Sequence, residues 1–148
     1  MVELNILDTA TRSGSFQTFI QLLRGSDLEK RLRGNGFYTL FAPVDVSFAY
    51  LPPATLNHLL RAENLGILSE ILGYHAIEQK ILSSELSKLS KAKTICGLEI
   101  AFTNHTGLRV DYARVLHSDI VARNGVIHGI DRLLMPSIMG ASASTQRH

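Results

Sequence analysis

One cysteine, four prolines and a net charge of only +2 are what this chain offers where other proteins carry staples, linkers or a strongly charged surface. Cys96 alone cannot form an internal disulfide, so a packed core must hold the fold together. It cannot build a zinc cluster either, and His58, His75, His105, His117, His128 and His148 show no HxxxH or HxH spacing. No metal and no cofactor is therefore expected. Fifteen basic against 13 acidic residues is too weak a bias to recruit nucleic acid or an anionic membrane. No run approaches the roughly 18 apolar residues of a membrane span, so no membrane insertion is expected, and Met1-Val2-Glu3-Leu4 lacks the basic start and apolar core of a signal peptide.

What is present is apolar: 45% of the residues are hydrophobic, in a chain of 148, which suffices for one core. Residues 1–136 read as a single domain. Gly140 to His148 lacks large apolar side chains, so 137–148 reads as a flexible C-terminal tail.

The first third has helical spacing. Asn5 offers a cap, Phe16, Phe19, Ile20 and Leu23 recur after a Ser13-Gly14-Ser15 break, and Ser26 with Glu29 forms a capping-box pattern. Lys30, Arg31 and Arg33 read as the solvated face of that third helix. The period then becomes extended in Phe37 to Ala42, a central strand stopped at Pro43, followed by Asp45 and Ser47 as cap or turn residues. A helical region, in two pieces, is predicted from about Pro53 to Gly73, with Gly73 as a helix-ending residue.

Beyond Tyr74 the chain reads as extended: Tyr74–Ile77, Lys80–Leu82, Ala92–Ile95, Leu98–Phe102, Leu108–Asp111 and Ser118–Arg123, separated by turn residues as in an antiparallel meander. Asn124-Gly125 predicts a two-residue type I′ turn into a last strand, Val126 to Ile130. Val126, His128 and Ile130 would share one face, which sends His128 into the core. Helices first and strands later make the fold class α+β.

Two blocks now carry a resemblance: Thr39-Leu40-Phe41-Ala42-Pro43-Val44-Asp45-Val46-Ser47-Phe48 and Asn124-Gly125-Val126-Ile127-His128-Gly129-Ile130-Asp131-Arg132-Leu133-Leu134-Met135-Pro136. With Leu72-Gly73-Tyr74-His75-Ala76 between them, the chain resembles the fasciclin domain family from about Asn5 to Pro136, and a single-domain bacterial member in particular. The resemblance implies a wedge of two packed β-sheets with N-terminal helices. It also implies a non-enzymatic cell-adhesion or protein-interaction module that is secreted, periplasmic or at a cell surface. By resemblance, Asp119, Ile120, Tyr74 and His75 would contact the partner, whose identity is open, while Phe41, Pro43, Asp45, Asn124, Gly125, His128 and Asp131 would build the fold.

The residues themselves favour plain roles. His128 has no adjacent nucleophile, and three residues along a strand put Asp131 on the opposite face, so no catalytic set assembles and no enzyme is expected. Tyr74-His75 follows a helix end, where one side chain packs and the other caps a carbonyl. Asp119 in a β-rich stretch needs exposure or a partner such as Arg123 or Arg132. The sequon Asn104-His105-Thr106 lies in a predicted loop. A module for a small hydrophobic ligand, a lipid or pigment, is the alternative, motivated by the aliphatic stripes and by Met135 and Met139. A monomer is expected.

Overall fold

The structure is a computed structural model that describes residues 5–34, 36–50, 61, 65–104 and 107–134. The first part of the predicted helical region from Pro53, the sequon's His105 and Thr106, Met135, Pro136, Met139 and the tail 137–148 lie outside the described residues.

Three short helices open the fold. In α1 (Ile6–Ser13) the Asn5 side chain accepts from the Asp8 amide at 2.8 Å, and Gly14, at φ +77°, ends the helix in a left-handed turn. Helix α2 (Gln17–Leu23) buries Phe19, Leu22 and Leu23. In α3 (Asp27–Arg33) the Ser26 hydroxyl accepts from Glu29 N–H at 3.1 Å, while the Glu29 carboxylate reaches back one residue further than a standard box, to Gly25 N–H at 2.9 Å. Lys30, Arg31 and Arg33 face solvent, as their helical position predicts.

Strand β1 (Tyr38–Pro43) is buried along its whole length and leads into a 3₁₀ turn, Asp45–Tyr50. Helix α4 (Leu65–Gly73) and strand β2 (Ala76–Ile77) come next. Then follow α5 (Ser83–Leu86), β3 (Lys91–Lys93), β4 (Glu99–Asn104), β5 (Leu108–Val110), β6 (Ala113–Ala122) and β7 (Gly125–Ile130). The α+β class and the meander hold. Lys80–Leu82, expected as extended, is in no strand and instead delivers the chain into α5.

The strands form one seven-stranded sheet in the order β2-β1-β7-β6-β5-β4-β3, where the resemblance implies two packed sheets. Every pairing is antiparallel except β1 with β7, which run parallel from Tyr38 opposite Gly125 to Pro43 opposite Ile130. The sheet curls until its ends approach, and Ile95 N–H, just past β3, donates to the Ala76 carbonyl of β2 at 2.9 Å. Each face of the central strands therefore meets a core. Leu40, Ala42 and Ile127 join the helices in one cluster with Phe16, Phe19, Leu32 and Leu72, whereas Phe41 and Ile130 point into the curl with Tyr74, Ile100, Phe102 and Leu134. Burial on both faces is why β1 reads as an unbroken apolar run.

The hairpin between β6 and β7 differs from its predicted turn. Ala122 pairs with Gly125, so the loop residues are Arg123 and Asn124, and neither has a positive φ. Asn124 is there as a buried clamp: its Oδ1 accepts from Ile6 N–H at 2.9 Å and its Nδ2 donates to the Leu32 carbonyl at 2.6 Å. Gly125 is required by close approach, since at φ +153° a Cβ would run into the Tyr38 carbonyl oxygen. Gly73 has a similar reason. It is the last residue of α4 rather than a left-handed stop, and a Cβ there would press on Cys96 Cβ at 3.2 Å.

Candidate functional site

Strand β6 carries the most exposed stretch of the sheet. His117 pairs with Gly129 and Ile120 with Ile127, so Ser118 and Asp119 together stand opposite the single residue His128. Two residues against one is a β-bulge, and Asp119 takes the left-handed conformation at φ +59° to make it. That backbone turns its N–H inward and its carboxylate outward. The N–H donates to His128 Nδ1 at 3.2 Å, and the carboxylate accepts from the Ser83 amide at 2.8 Å and from the Ser83 hydroxyl.

The bulge thus caps a helix on another element. Leu82, the residue before α5, has no oxygen with which to cap it, and Asp119 supplies the missing acceptor from β6. Some desolvation pushes the Asp119 carboxyl up, but the two bonds from Ser83 and the proximity of His128 outweigh it and hold the carboxyl below its usual range. Asp119 itself stays exposed, one of the two conditions its place in the strand requires, and its carboxylate is bonded by Ser83. Ser83, Ser84, Ser87, Ser118 and Asn104 line a polar groove of about 390 Å³ beside it.

Beneath the bulge sits His128, wholly buried and stacked on Phe41 at 5.8 Å between ring centroids. Its Nδ1 accepts from Asp119, so Nε2 carries the proton and donates to the Ile81 carbonyl at 2.9 Å. Only the neutral ring satisfies both contacts. Desolvation lowers its pKa, against the Ile81 bond and the Asp119 charge, which raise it.

Tyr74 and His75 lie elsewhere, both inside. The Tyr74 hydroxyl donates to Asp111 Oδ2 at 2.6 Å and approaches the Glu99 carbonyl at 3.2 Å; burial, then the Asp111 bond, push its ionisation up. His75 donates from Nδ1 to the Ile71 carbonyl at 2.7 Å, capping α4, and accepts from Leu134 N–H at Nε2 at 3.0 Å. Burial lowers its pKa to about 4, against the Ile71 bond. None of these partners belongs to the Asp119 bulge. Of the four residues assigned by resemblance to partner contact, Asp119 is exposed, Ile120 is half-buried against the helix-side core, and Tyr74 and His75 are buried.

The remaining motif residues tie distant segments together. Asp45 accepts at Oδ1 from Thr18 N–H at 2.8 Å, which corrects its expected role in its own turn: it caps α2, whose N-cap, Phe16, cannot. Asp131 extends the β6–β7 ladder through Arg114 N–H at 2.8 Å and stands 3.6 Å from Arg132. Sequence reading missed Thr39, whose buried hydroxyl donates to the Gln79 carbonyl and accepts from Ile81 N–H, fixing the segment that His128 then holds. It also missed Ser83, although Ser83-Ser84-Glu85 after Leu82 is a helix-start signal: the Glu85 carboxylate accepts from Leu82 N–H at 3.2 Å.

The sequence profile of the Fasciclin domain matches residues 14–136. The chain belongs to the fasciclin domain family. Among its fasciclin relatives, the Synechocystis protein sll1735 is 35% identical over 131 residues, covering 88% of this chain and 97% of that protein. The rabbit (Oryctolagus cuniculus) transforming growth factor-beta-induced protein ig-h3 is 33% identical over 133 residues, 88% of this chain but 19% of that protein. The fold is shared with a solved FAS1 domain pair from the insect cell adhesion molecule Fasciclin I, at a TM-score of 0.80 and 19% identity over 93% of this chain and 52% of the other. Among the described residues of this fasciclin domain, no three His, Cys, Asp or Glu side chains gather as metal ligands would, and no helix is long and apolar enough to cross a membrane.

Proposed function

We propose that this fasciclin domain is a non-enzymatic adhesion or protein-interaction module, secreted, periplasmic or displayed at a cell surface, and that it meets its partner through the Asp119 bulge of β6. The observation that carries the reading is the exposure of that strand. Leu116 and Val121 are 47% and 40% exposed on either side of Asp119, whose exposed carboxylate is held by Ser83 and whose backbone N–H is held by His128. A fixed charge between exposed apolar side chains is the composition of a recognition patch, because the ordering cost is met before the partner arrives. Ile120 anchors the strand from below, and Tyr74 and His75 contribute by holding the frame. The solved relative's part in a cell adhesion molecule supports the same class.

Both buried histidines argue against catalysis. Each is wholly buried, with one ring nitrogen bonded to a carbonyl and the other to a backbone amide, so neither ring presents a nitrogen to a substrate. The test is retention of cells of the source organism on immobilised protein, compared between wild type, Asp119→Ala with Tyr74→Phe, and Arg31→Ala as a distant surface control. Loss in the double variant alone, with its fold intact by circular dichroism, supports the site. Equal retention by all three would remove the bulge from it.

A further inference from the structure

We infer that His128 is the positioning residue of the Asp119 bulge, and that its neutral ring is the latch that makes this surface sensitive to mild acid. The inference rests on the reading that the bulge meets the partner, and adds how that surface is set. The geometry has one weak point. Asp119 N–H needs an acceptor, and Nδ1 of neutral His128 is the acceptor it has; the other nitrogen is committed to Ile81. A proton added to the ring lands on Nδ1 and turns it into a donor that faces a donor. The Asp119 amide then loses its partner, and the left-handed turn it stabilised loses its reason to persist.

The consequence reaches the surface through one residue. Asp119's backbone holds to β7 and its carboxylate to Ser83, so a bulge that relaxes also uncaps α5 and opens the rim of the serine-lined groove. Other charges around the ring leave the latch to His128. Asp119 is the charge that acts on it; His117 on β6, Lys80 ahead of α5 and Glu85 within α5 are exposed, Tyr38 lies at the far end of β1, and β7 carries no other ionisable side chain. Burial opposes the protonated ring, against the Ile81 bond and the Asp119 charge, which favour it; burial wins, so the ring is neutral at neutral pH and chargeable in acid.

The experiment is a titration of the full chain by ¹H–¹⁵N spectroscopy from about pH 7.5 to about 4.5, following both imidazoles and the backbone amides, across the range in which histidine changes charge. The Asp119 and Ser83 amides should shift with the His128 midpoint, apart from the Leu134 amide, which reports His75. Exchange protection of the Asp119 amide should fall roughly fivefold or more, the equivalent of one hydrogen bond. His128→Asn keeps an oxygen near the Nδ1 position but cannot titrate, so it should hold the bulge and flatten the response. Asp119 and Ser83 amides that stay flat through the His128 midpoint, or that follow His75, overturn the proposal. If His128→Asn does not fold, the wild-type titration decides alone. Cell retention measured over the same pH range separates the two readings: amides that switch while retention ignores both pH and Asp119→Ala leave the latch standing and remove the adhesion site.

Discussion

His75 and His128 are both wholly buried and both neutral, yet they carry their protons on opposite nitrogens and close opposite kinds of space. His75 joins the end of α4 to Leu134, past the last strand, with Phe19 against its ring at 5.3 Å; everything it touches is interior. His128 has an interior carbonyl on one side and an exposed bulge on the other. Burial alone therefore says little about a histidine's task. What its acceptor nitrogen holds decides it: for His75 a chain segment that closes the core, for His128 a surface turn.

The comparison breaks most visibly if His75 is removed. His75→Leu keeps the volume but orphans the buried Leu134 amide, at about 1–3 kcal/mol, and leaves the Ile71 carbonyl only its longer bond from Tyr74 N–H at 3.2 Å, a further loss of about 1 kcal/mol, so a loss of about 3–4 kcal/mol is expected. Denaturant unfolding would read it as a lower midpoint. His128 variants should lose less, because the bulge can relax into water where the core cannot. An equal loss at both sites would erase the distinction.

Acid comes next in size. His75 has a folded-state pKa of about 4, below the about 6.5 of an unfolded histidine, so between those values the unfolded chain binds more protons. Stability is complete above about pH 6.5 and is lost as pH falls toward about 4, by on the order of 3 kcal/mol. His128, lowered in the same direction, adds to the slope. Thermal unfolding across this range should show the decline, and His75→Leu should show a markedly flatter one. A wild-type curve that rises toward acid would contradict the neutral assignments.

These sites also show what the sequence made legible. Local patterns translated well: the Asn5 and Ser26 caps, the break at Gly14, and the alternation that puts His128 and Ile130 on one face all depend on neighbours within about one turn or one pleat. The partners did not. Asp45 finds Thr18, Asp119 finds Ser83 and Asn124 finds Ile6, and the parallel pairing of β1 with β7 joins segments far apart along the chain. Each depends on how the sheet curls, which no periodicity encodes. Asn124-Gly125 shows the hazard: two turn-forming residues stand there for a buried clamp and a close backbone approach, so the motif was right and its reason was not.

Tyr74→Phe probes the closed region more gently. The ring stays in place while the hydroxyl's bond to Asp111 and its longer approach to the Glu99 carbonyl disappear, and Asp111 keeps the Ala101 amide at 2.9 Å on its other oxygen. A destabilisation of about 1–2 kcal/mol is expected, with an unchanged surface. A variant as stable as wild type would mean that water replaces the hydroxyl.

Ser83→Ala is the smallest change and the sharpest for the open region. It removes the hydroxyl bond to Asp119 but leaves the Ser83 amide, which still donates to the same carboxylate at 2.8 Å. An exposed bond of this kind contributes about 0.5–1 kcal/mol, so global stability should barely move. The Asp119 carboxyl should nevertheless titrate at a higher pH than in wild type, because one of the groups holding it down is gone. The His128 ring should then titrate at or slightly below its wild-type midpoint, since a less firmly held carboxylate favours the imidazolium less. An unchanged Asp119 titration would mean that the amide alone fixes the carboxylate, and that the bulge is held by backbone contacts rather than by the serine side chain.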